Sequence, residues 1–177
     1  GESLKQRAAE VSEISVELQR VAKRVRVVAE DEGRLQTRLD ALRREKQAVD
    51  KQFELGVGRG AFAQMLIEQK SGLPDPRSIR RTLAQRREEI TEIRFAAFQV
   101  DEKINRQAKL EVAVKNVTPS AQDHARTLLD TRKDLLAQLE EQYSRLMREL
   151  GQIDLLERQM LDEVVEFDAT LEEALFW

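Results

Sequence analysis

The chain has 177 residues, a net charge of −3, 36% charged residues, 5% aromatic residues and no cysteine. An average globular domain has about 25% charged residues, so this composition favours a thin helical bundle or coiled coil over a thick core or a sheet. Interspersed acidic and basic residues predict no nucleic-acid partner, and the absence of cysteine excludes disulfides, thiolate zinc sites and cysteine nucleophiles.

A heptad repeat of apolar residues predicts a long first helix from about residue 2 to residue 55. Such spacing makes a narrow apolar seam, along roughly 80 Å of helix, that needs partner helices. Glu32 and Lys46 interrupt the seam. Polar residues at seam positions fix the register between helices. Two alternatives are open for this pair: the two side chains face each other, or they face another subunit. Gly33 weakens the middle by about 1 kcal/mol relative to Ala. The seam consists of Leu4, Val11, Ile14, Leu18, Val21, Val25, Val28, Leu35, Leu39, Leu42, Val49 and Phe53.

Gly56, Gly58 and Gly60 predict the end of this helix, because glycine tolerates the left-handed backbone of a helix C-terminus. A short amphipathic helix is expected over about residues 61–70. The following Pro74 and Pro76 predict an extended connector.

A third helix is expected over about residues 76–115, with Asp75 as N-cap and Pro76 as the first helical residue. A further helix, over about residues 119–175, follows a tight hairpin at 116–118. A change of heptad phase is expected between Leu146 and Leu150. The third seam comprises Ile79, Leu83, Ile90, Ile93, Ala97, Val100 and Ile104, and the last comprises Ala125, Leu128, Leu135, Leu139, Leu146, Leu150, Ile153, Met160, Val164, Phe167 and Leu171.

These elements predict an all-α fold: an elongated antiparallel helical bundle or coiled coil of three long helices and one short helix. We expect residues 1–177 to form a single helical domain. An odd number of long helices would place Gly1 and Trp177 at opposite ends.

A search for catalytic chemistry finds little. His124 is the only histidine, and the neighbouring Asp123 and Asp130 match no triad or metal spacing, so we expect a solvated surface residue. The glycines at 56, 58 and 60 lack the strand and the Lys-Ser/Thr of phosphate-binding loops, which favours a simple turn. We therefore expect no catalytic residue, metal or cofactor.

A basic run opens the third helix and comprises Arg77, Arg80, Arg81, Arg86 and Arg87. Cations at a helix N-terminus oppose the helix dipole, so the first three are a candidate contact patch for an anionic lipid, a polyanion or an acidic subunit. The alternative, favoured for most charge runs, is a solvated face paired with acids such as Glu88 and Glu89.

Phe95 and Phe98 flank the third seam. We predict that they widen this seam into a core, because buried aromatic side chains contribute large apolar areas. The alternative is an outward face for a partner helix.

The last residues form an apolar end that comprises Leu171, Leu175, Phe176 and Trp177. One interpretation is a cap of the bundle. We prefer a membrane-proximal end, especially for residues 175–177, because Trp favours membrane interfaces. No signal peptide and no apolar run of about 20 residues is present. We expect both to lie, if anywhere, in flanks of a longer protein.

Three segments resemble parts of one family. They are Ala61-Phe-Ala-Gln-Met-Leu-Ile-Glu-Gln-Lys-Ser-Gly-Leu-Pro74 with the Arg-rich helix after it, Tyr143-Ser-Arg-Leu146, and Thr170-Leu-Glu-Glu-Ala-Leu-Phe-Trp177. Together they look like the periplasmic region of the large bacterial mechanosensitive channels, the potassium-dependent and miniconductance relatives of the small-conductance channel. The resemblance covers roughly residues 50–177 and does not extend to the first 50 residues.

The resemblance implies a non-catalytic periplasmic ectodomain of a Gram-negative inner-membrane channel that opens during hypo-osmotic shock. Its partners would be other subunits of a homo-heptamer, and its role would be subunit contacts, sensing or gating modulation. The pore would lie beyond Trp177, so no functional residue carries over to this chain. The alternative is a soluble periplasmic coiled-coil scaffold or cell-wall-enzyme activator. An enzyme ranks third, because a thin rod leaves no room for a convergent polar pocket.

Overall fold

The computed structural model describes residues 2–56 and 59–176. Within these ranges the chain is helical and has no strand, which confirms the predicted all-α bundle. The helices are α1 (Glu2–Glu54), α2 (Arg59–Gly72), α3 (Pro76–Asn105), α4 (Gln107–Val114) and α5 (Pro119–Phe176). The bounds of α1 and α5 lie within one residue of the predicted bounds.

The turn after α1 confirms one glycine prediction and corrects another. Gly56 has a φ of 64°, a left-handed conformation that glycine adopts without strain. The amide of Leu55 donates to the Lys51 carbonyl at 3.1 Å, which closes the last turn. Gly60 does not help to end α1, because it lies in the first turn of α2. Gly58 lies outside the described residues.

The start of α3 is as predicted. The Asp75 carboxylate accepts a hydrogen bond from the Arg77 amide at 2.9 Å, and its carbonyl accepts one from the Ile79 amide at 3.2 Å. Pro76 occupies the first helical position, where its missing N–H costs nothing.

The predicted third helix over 76–115 is wrong in one respect, because it is divided at Arg106 into α3 and α4. Near the end of α3 the Lys103 carbonyl accepts a hydrogen bond from the Arg132 guanidinium of α5 at 2.9 Å. A side chain that competes for a carbonyl of the helical hydrogen-bond ladder is a known cause of helix breaks. The sequence pattern of α3 alone contains no sign of this contact.

The predicted hairpin between α4 and α5 is present. The Gln122 side chain donates to the carbonyls of Val117, at 2.9 Å, and Lys115, at 3.3 Å. The Thr118 carbonyl accepts the first amide hydrogen bonds of α5. These bonds satisfy backbone groups that helix ends leave without partners.

The chain forms two compact units that share its long helices. Unit 1 comprises residues 1–29 and 89–150, and unit 2 comprises residues 30–88 and 151–177. The single domain expected over residues 1–177 stays a prediction.

In unit 1, α1 and α5 are parallel, because Glu10 pairs with Arg132 and Glu17, further along α1, bonds Tyr143. The α4 helix is antiparallel to α5, since Gln107 bonds the Leu129 carbonyl and Val114, further along α4, packs against Ala125. The buried apolar residues of unit 1 are Ile14, Val21, Val28, Val100, Val114, Ala125, Leu129, Leu136, Leu139, Tyr143, Leu146 and Leu150.

In unit 2, α1 and α5 are again parallel, with Arg43 and Lys46 pairing with Glu163 and Glu166 respectively. The short helix α2 contributes Phe62 and Leu66 to the core. The other buried apolar residues of unit 2 are Leu39, Leu42, Val49, Leu83, Ile153, Leu156, Met160, Val164, Phe167 and Leu171.

Candidate contact surfaces and buried polar groups

The candidate catalytic features remain isolated. His124 is exposed near the start of α5. Within residues 2–56 and 59–176, no group of three or more His, Asp or Glu side chains could hold a metal ion. One cleft of about 390 Å³ in unit 2 lies between Leu35, Ile79 and Met160. Its mixed lining includes no arrangement of nucleophile and base, so we assign it no reaction.

The basic run separates into two parts with different surroundings. Arg77, Arg80 and Arg81 are exposed, and their spacing of three and four residues places them on one face of α3. Arg86 instead lies inside unit 2, where its guanidinium bonds the Glu157 carboxylate at 2.8 Å. The candidate contact patch therefore consists of the first three arginines, whereas Arg86 is part of the packing.

The apolar end of α5 is only partly buried. Leu175 packs against the core of unit 2, but Phe176 is 87% exposed. Trp177 lies outside the described residues. Leu171 is fully buried, so only the final turn extends past the core.

Residues from the end of α1 join this surface. A cavity of about 300 Å³ is lined by Phe53, Thr170, Glu173 and Ala174, so the two helix ends lie side by side in unit 2. Leu55 is 78% exposed. Phe53 was predicted to lie in the seam but is also exposed, and its ring lies edge-on to the ring of Phe62, with 5.2 Å between the ring centroids. We call Phe53, Leu55 and Phe176 the apolar end of unit 2.

Phe95 and Phe98 are not part of a core, contrary to the prediction. Their side chains are 62% and 57% exposed. At 100° per residue, both lie roughly opposite the buried face that holds Val100. The alternative interpretation, an outward face, describes their position. Arg94 and Glu102 lie on the same side of α3 and are exposed.

An unpredicted polar cluster lies inside unit 1. The Arg132 side chain is 3% exposed and bonds the Glu10 carboxylate at 3.0 Å and the Gln107 side-chain oxygen at 2.6 Å. Gln107 in turn donates to the Leu129 carbonyl at 3.0 Å. Together with the Lys103 carbonyl, these groups satisfy a guanidinium that would otherwise be costly to bury.

The sequence did contain a signal for this cluster. The buried residues of α5 keep an unbroken 3-4 spacing from Ala125 to Leu171, so the phase change expected between Leu146 and Leu150 is wrong. In that register, Arg132 and Glu157 occupy seam positions. Leu128 and Leu135, which were assigned to the seam, lie beside it and are only partly buried.

Tyr143 is a third polar residue in this seam, together with Arg132 and Glu157. Its hydroxyl donates to the Glu17 carboxylate at 2.5 Å. Burial raises the pKa of Tyr143 above its ordinary value, and the hydrogen bond and negative charge of Glu17 add to this effect. The phenol therefore stays protonated well into alkaline solution.

Lys46 faces carboxylates of its own chain. Its ammonium lies 2.7 Å from Glu166 and 3.6 Å from Glu163. Burial lowers the pKa of Lys46, but the hydrogen bond and charge of Glu166 and the charge of Glu163 outweigh it and raise the pKa. Glu32 lies 14 residues earlier on α1, about 21 Å away, so the two do not face each other within the chain.

No protein-family model matches this chain, and no curated protein matches it. Of the helices in the described ranges, none is both long and apolar enough to cross a membrane. Function is therefore inferred from the residues and their packing.

Proposed function

We propose that this chain is a non-catalytic periplasmic ectodomain segment of a large mechanosensitive channel of a Gram-negative inner membrane. The observation that carries the proposal is the apolar end of unit 2, where Phe53, Leu55 and Phe176 are exposed together. Large exposed apolar groups at one place mark contacts with a protein or a membrane. In this proposal, the end of α5 is membrane-proximal.

The two segments with the strongest family resemblance also lie together. Lys70, in the segment 61–74, pairs with Glu172 at 2.5 Å and Asp168 at 3.7 Å, in and beside the segment 170–177. This contact supports the proposal, because two segments that resemble the same family are also packed together in unit 2. The three exposed arginines Arg77, Arg80 and Arg81 would contact acidic groups of a neighbouring subunit in a homo-heptamer. Such contacts would tune assembly, sensing or gating.

A soluble periplasmic scaffold or cell-wall-enzyme activator is the second candidate. The exposed pair Phe95 and Phe98 favours it, because an aromatic pair on an outward helix face suits a partner helix. Such a protein would need no membrane span after Trp177.

The coding sequence that follows Trp177 separates the two candidates. The channel proposal requires an apolar segment of about 20 residues within roughly the next 40 residues. A coding sequence without such a segment would refute it.

The full-length gene then allows a functional test in bacteria that lack their own mechanosensitive channels. We expect it to restore survival after hypo-osmotic shock. Reversing Arg77, Arg80 and Arg81 to Glu should reduce the rescue at unchanged protein abundance. A matched control reverses three exposed arginines elsewhere, Arg26, Arg44 and Arg126. Equal loss in both triple variants would show a general charge effect and would remove the contact role of the patch.

A further inference from the structure

The outward face of α3 in unit 1 combines aromatic residues with charges in a symmetric pattern. Phe95 and Phe98 are exposed, and Arg94 and Glu102 lie four residues before and after Phe98. Neither charged side chain bonds another side chain in the part of the chain that the structure describes. The face thus presents apolar area with a cation four residues before its centre and an anion four residues after it. The exposed Asp101 lies beside Glu102 and adds negative charge to the same end.

We propose that this face binds a second copy of this chain, with the two α3 helices antiparallel and Phe98 on the twofold axis. In that arrangement, Arg94 of each copy lies opposite Glu102 of the other, so two ion pairs flank a cluster of four phenylalanines. Thr91 lies opposite Asn105, which pairs polar with polar. A parallel pair would instead place Arg94 against Arg94 and is disfavoured by like charge.

The complementary stretch has a definite limit. It spans residues 91–105 of each copy. Beyond Asn105 the helix is divided at Arg106, so the straight register of α3 ends there. The antiparallel register is therefore set by residues in the second half of α3.

The area involved predicts a weak dimer. At 62% and 57% exposure, the two phenylalanines offer about 120 Å² each, or roughly 480 Å² for both copies. Stable interfaces bury about 1,200–2,000 Å². Neighbouring side chains add to the buried area but leave it at the low end, where complexes are transient. We expect association at about 100 μM or above.

This contact goes beyond the proposed channel function and does not depend on it. A twofold antiparallel contact does not repeat around a ring of seven subunits that share one direction. It would join two free chains, or chains from two separate assemblies. Its test uses the chain alone, so its failure leaves the channel proposal untouched.

Sedimentation velocity from about 10 μM to about 1 mM, a range that brackets weak association, tests the proposal. We expect a monomer–dimer equilibrium. Arg94→Glu or Glu102→Arg alone replaces two attractive pairs by two repulsive ones and should weaken the dimer about tenfold. The double variant Arg94→Glu/Glu102→Arg should restore wild-type association. Arg26→Glu, at an exposed residue of α1, is the matched charge control and should change nothing.

The aromatic centre has its own variant. Phe98→Ser should abolish association while thermal melting stays unchanged, because the side chain is exposed in the monomer. A chain that remains monomeric throughout the concentration range overturns the proposal. So does a dimer that survives Phe98→Ser. A double charge variant no better than the single variants refutes the antiparallel register.

Discussion

Replacing Arg132 with Ala should destabilise this chain more than the loss of any surface charge. The Arg132 side chain is 3% exposed and bonds Glu10, Gln107 and the Lys103 carbonyl. The substitution removes one cation but leaves three acceptors behind. The cost therefore comes mainly from the partners that remain, and less from the bond energies of the arginine itself.

The size of the effect can be worked out partner by partner. Removing one member of a buried ion pair costs about 3–5 kcal/mol. Glu10 is 32% exposed and regains some hydration, which lowers this figure. The Gln107 oxygen and the Lys103 carbonyl each add part of an unsatisfied-acceptor penalty of about 1–3 kcal/mol. We expect a loss of about 3–4 kcal/mol, a large fraction of a typical total stability of about 5–15 kcal/mol.

Urea unfolding followed by circular dichroism measures this loss, and an m-value equal in wild type and variant shows that the same two states are compared. The control is Arg145→Ala, because Arg145 pairs only at the surface with Glu141 and should cost less than about 0.5 kcal/mol. The triple variant Arg132→Met/Gln107→Leu/Glu10→Met also removes the two side-chain acceptors, leaves only the Lys103 carbonyl, and should recover most of the stability. A loss below about 1 kcal/mol for Arg132→Ala would show that the cluster contributes little, contrary to its burial.

Further substitutions test three other features. Gly33→Ala and Gly151→Ala should each raise the free energy of unfolding by up to about 1 kcal/mol, because both glycines lie within helices and have open space at the Cβ position. Urea unfolding measures this gain, and a loss of stability would show strain at these positions. The pKa of Tyr143 in the unfolded chain is about 10, and the native phenol keeps its proton above that pH. The free energy of unfolding should therefore fall as the pH rises past about 10. Tyr143→Phe should flatten this decline in melts between about pH 9 and pH 11. Because Tyr143 is the only tyrosine, tyrosinate absorbance of the native chain below about pH 10 would contradict the assignment. Substituting Arg80 and Arg81 with Ala should change stability by less than about 0.5 kcal/mol, and a larger loss would place them in the packing.

The sequence predicted the elements of this fold well because their signals are local. The seam residues Ile14, Val21, Val28 and Val49 are buried, and Asp75 caps α3 as expected. A heptad repeat or an Asp-Pro pair acts within one or two helical turns, so a single sequence suffices to detect it.

The missed features depend on neighbours that lie far away along the chain. Phe95 and Phe98 are an exception: they were assigned to a core because they flank the third seam, but their helical angle turns them outward. Arg132 and Glu157 sit at heptad positions, yet a polar residue there is accepted only when another helix supplies a counter-charge. The break at Arg106 follows from the same long-range contact. Among the candidate contact residues, Arg77, Arg80, Arg81 and Phe176 are exposed as a contact role requires, but exposure alone names no partner.

The buried polar groups explain why unit 1 adopts one register although its apolar seams repeat. Glu10, Glu17 and Arg24 are spaced by seven residues on α1, and each bonds a different group: Arg132, Tyr143 and Glu89. Sliding α1 by one heptad would still match apolar residues with apolar residues. In one direction, however, the slide would bring Arg24 to the level of Tyr143 and separate it from Glu89. In the other direction it would bring Ser3 to Arg132 and leave the buried guanidinium without a carboxylate. Polar residues in the seam of α5 and beside the seam of α1 thus fix the register that the hydrophobic repeat leaves degenerate.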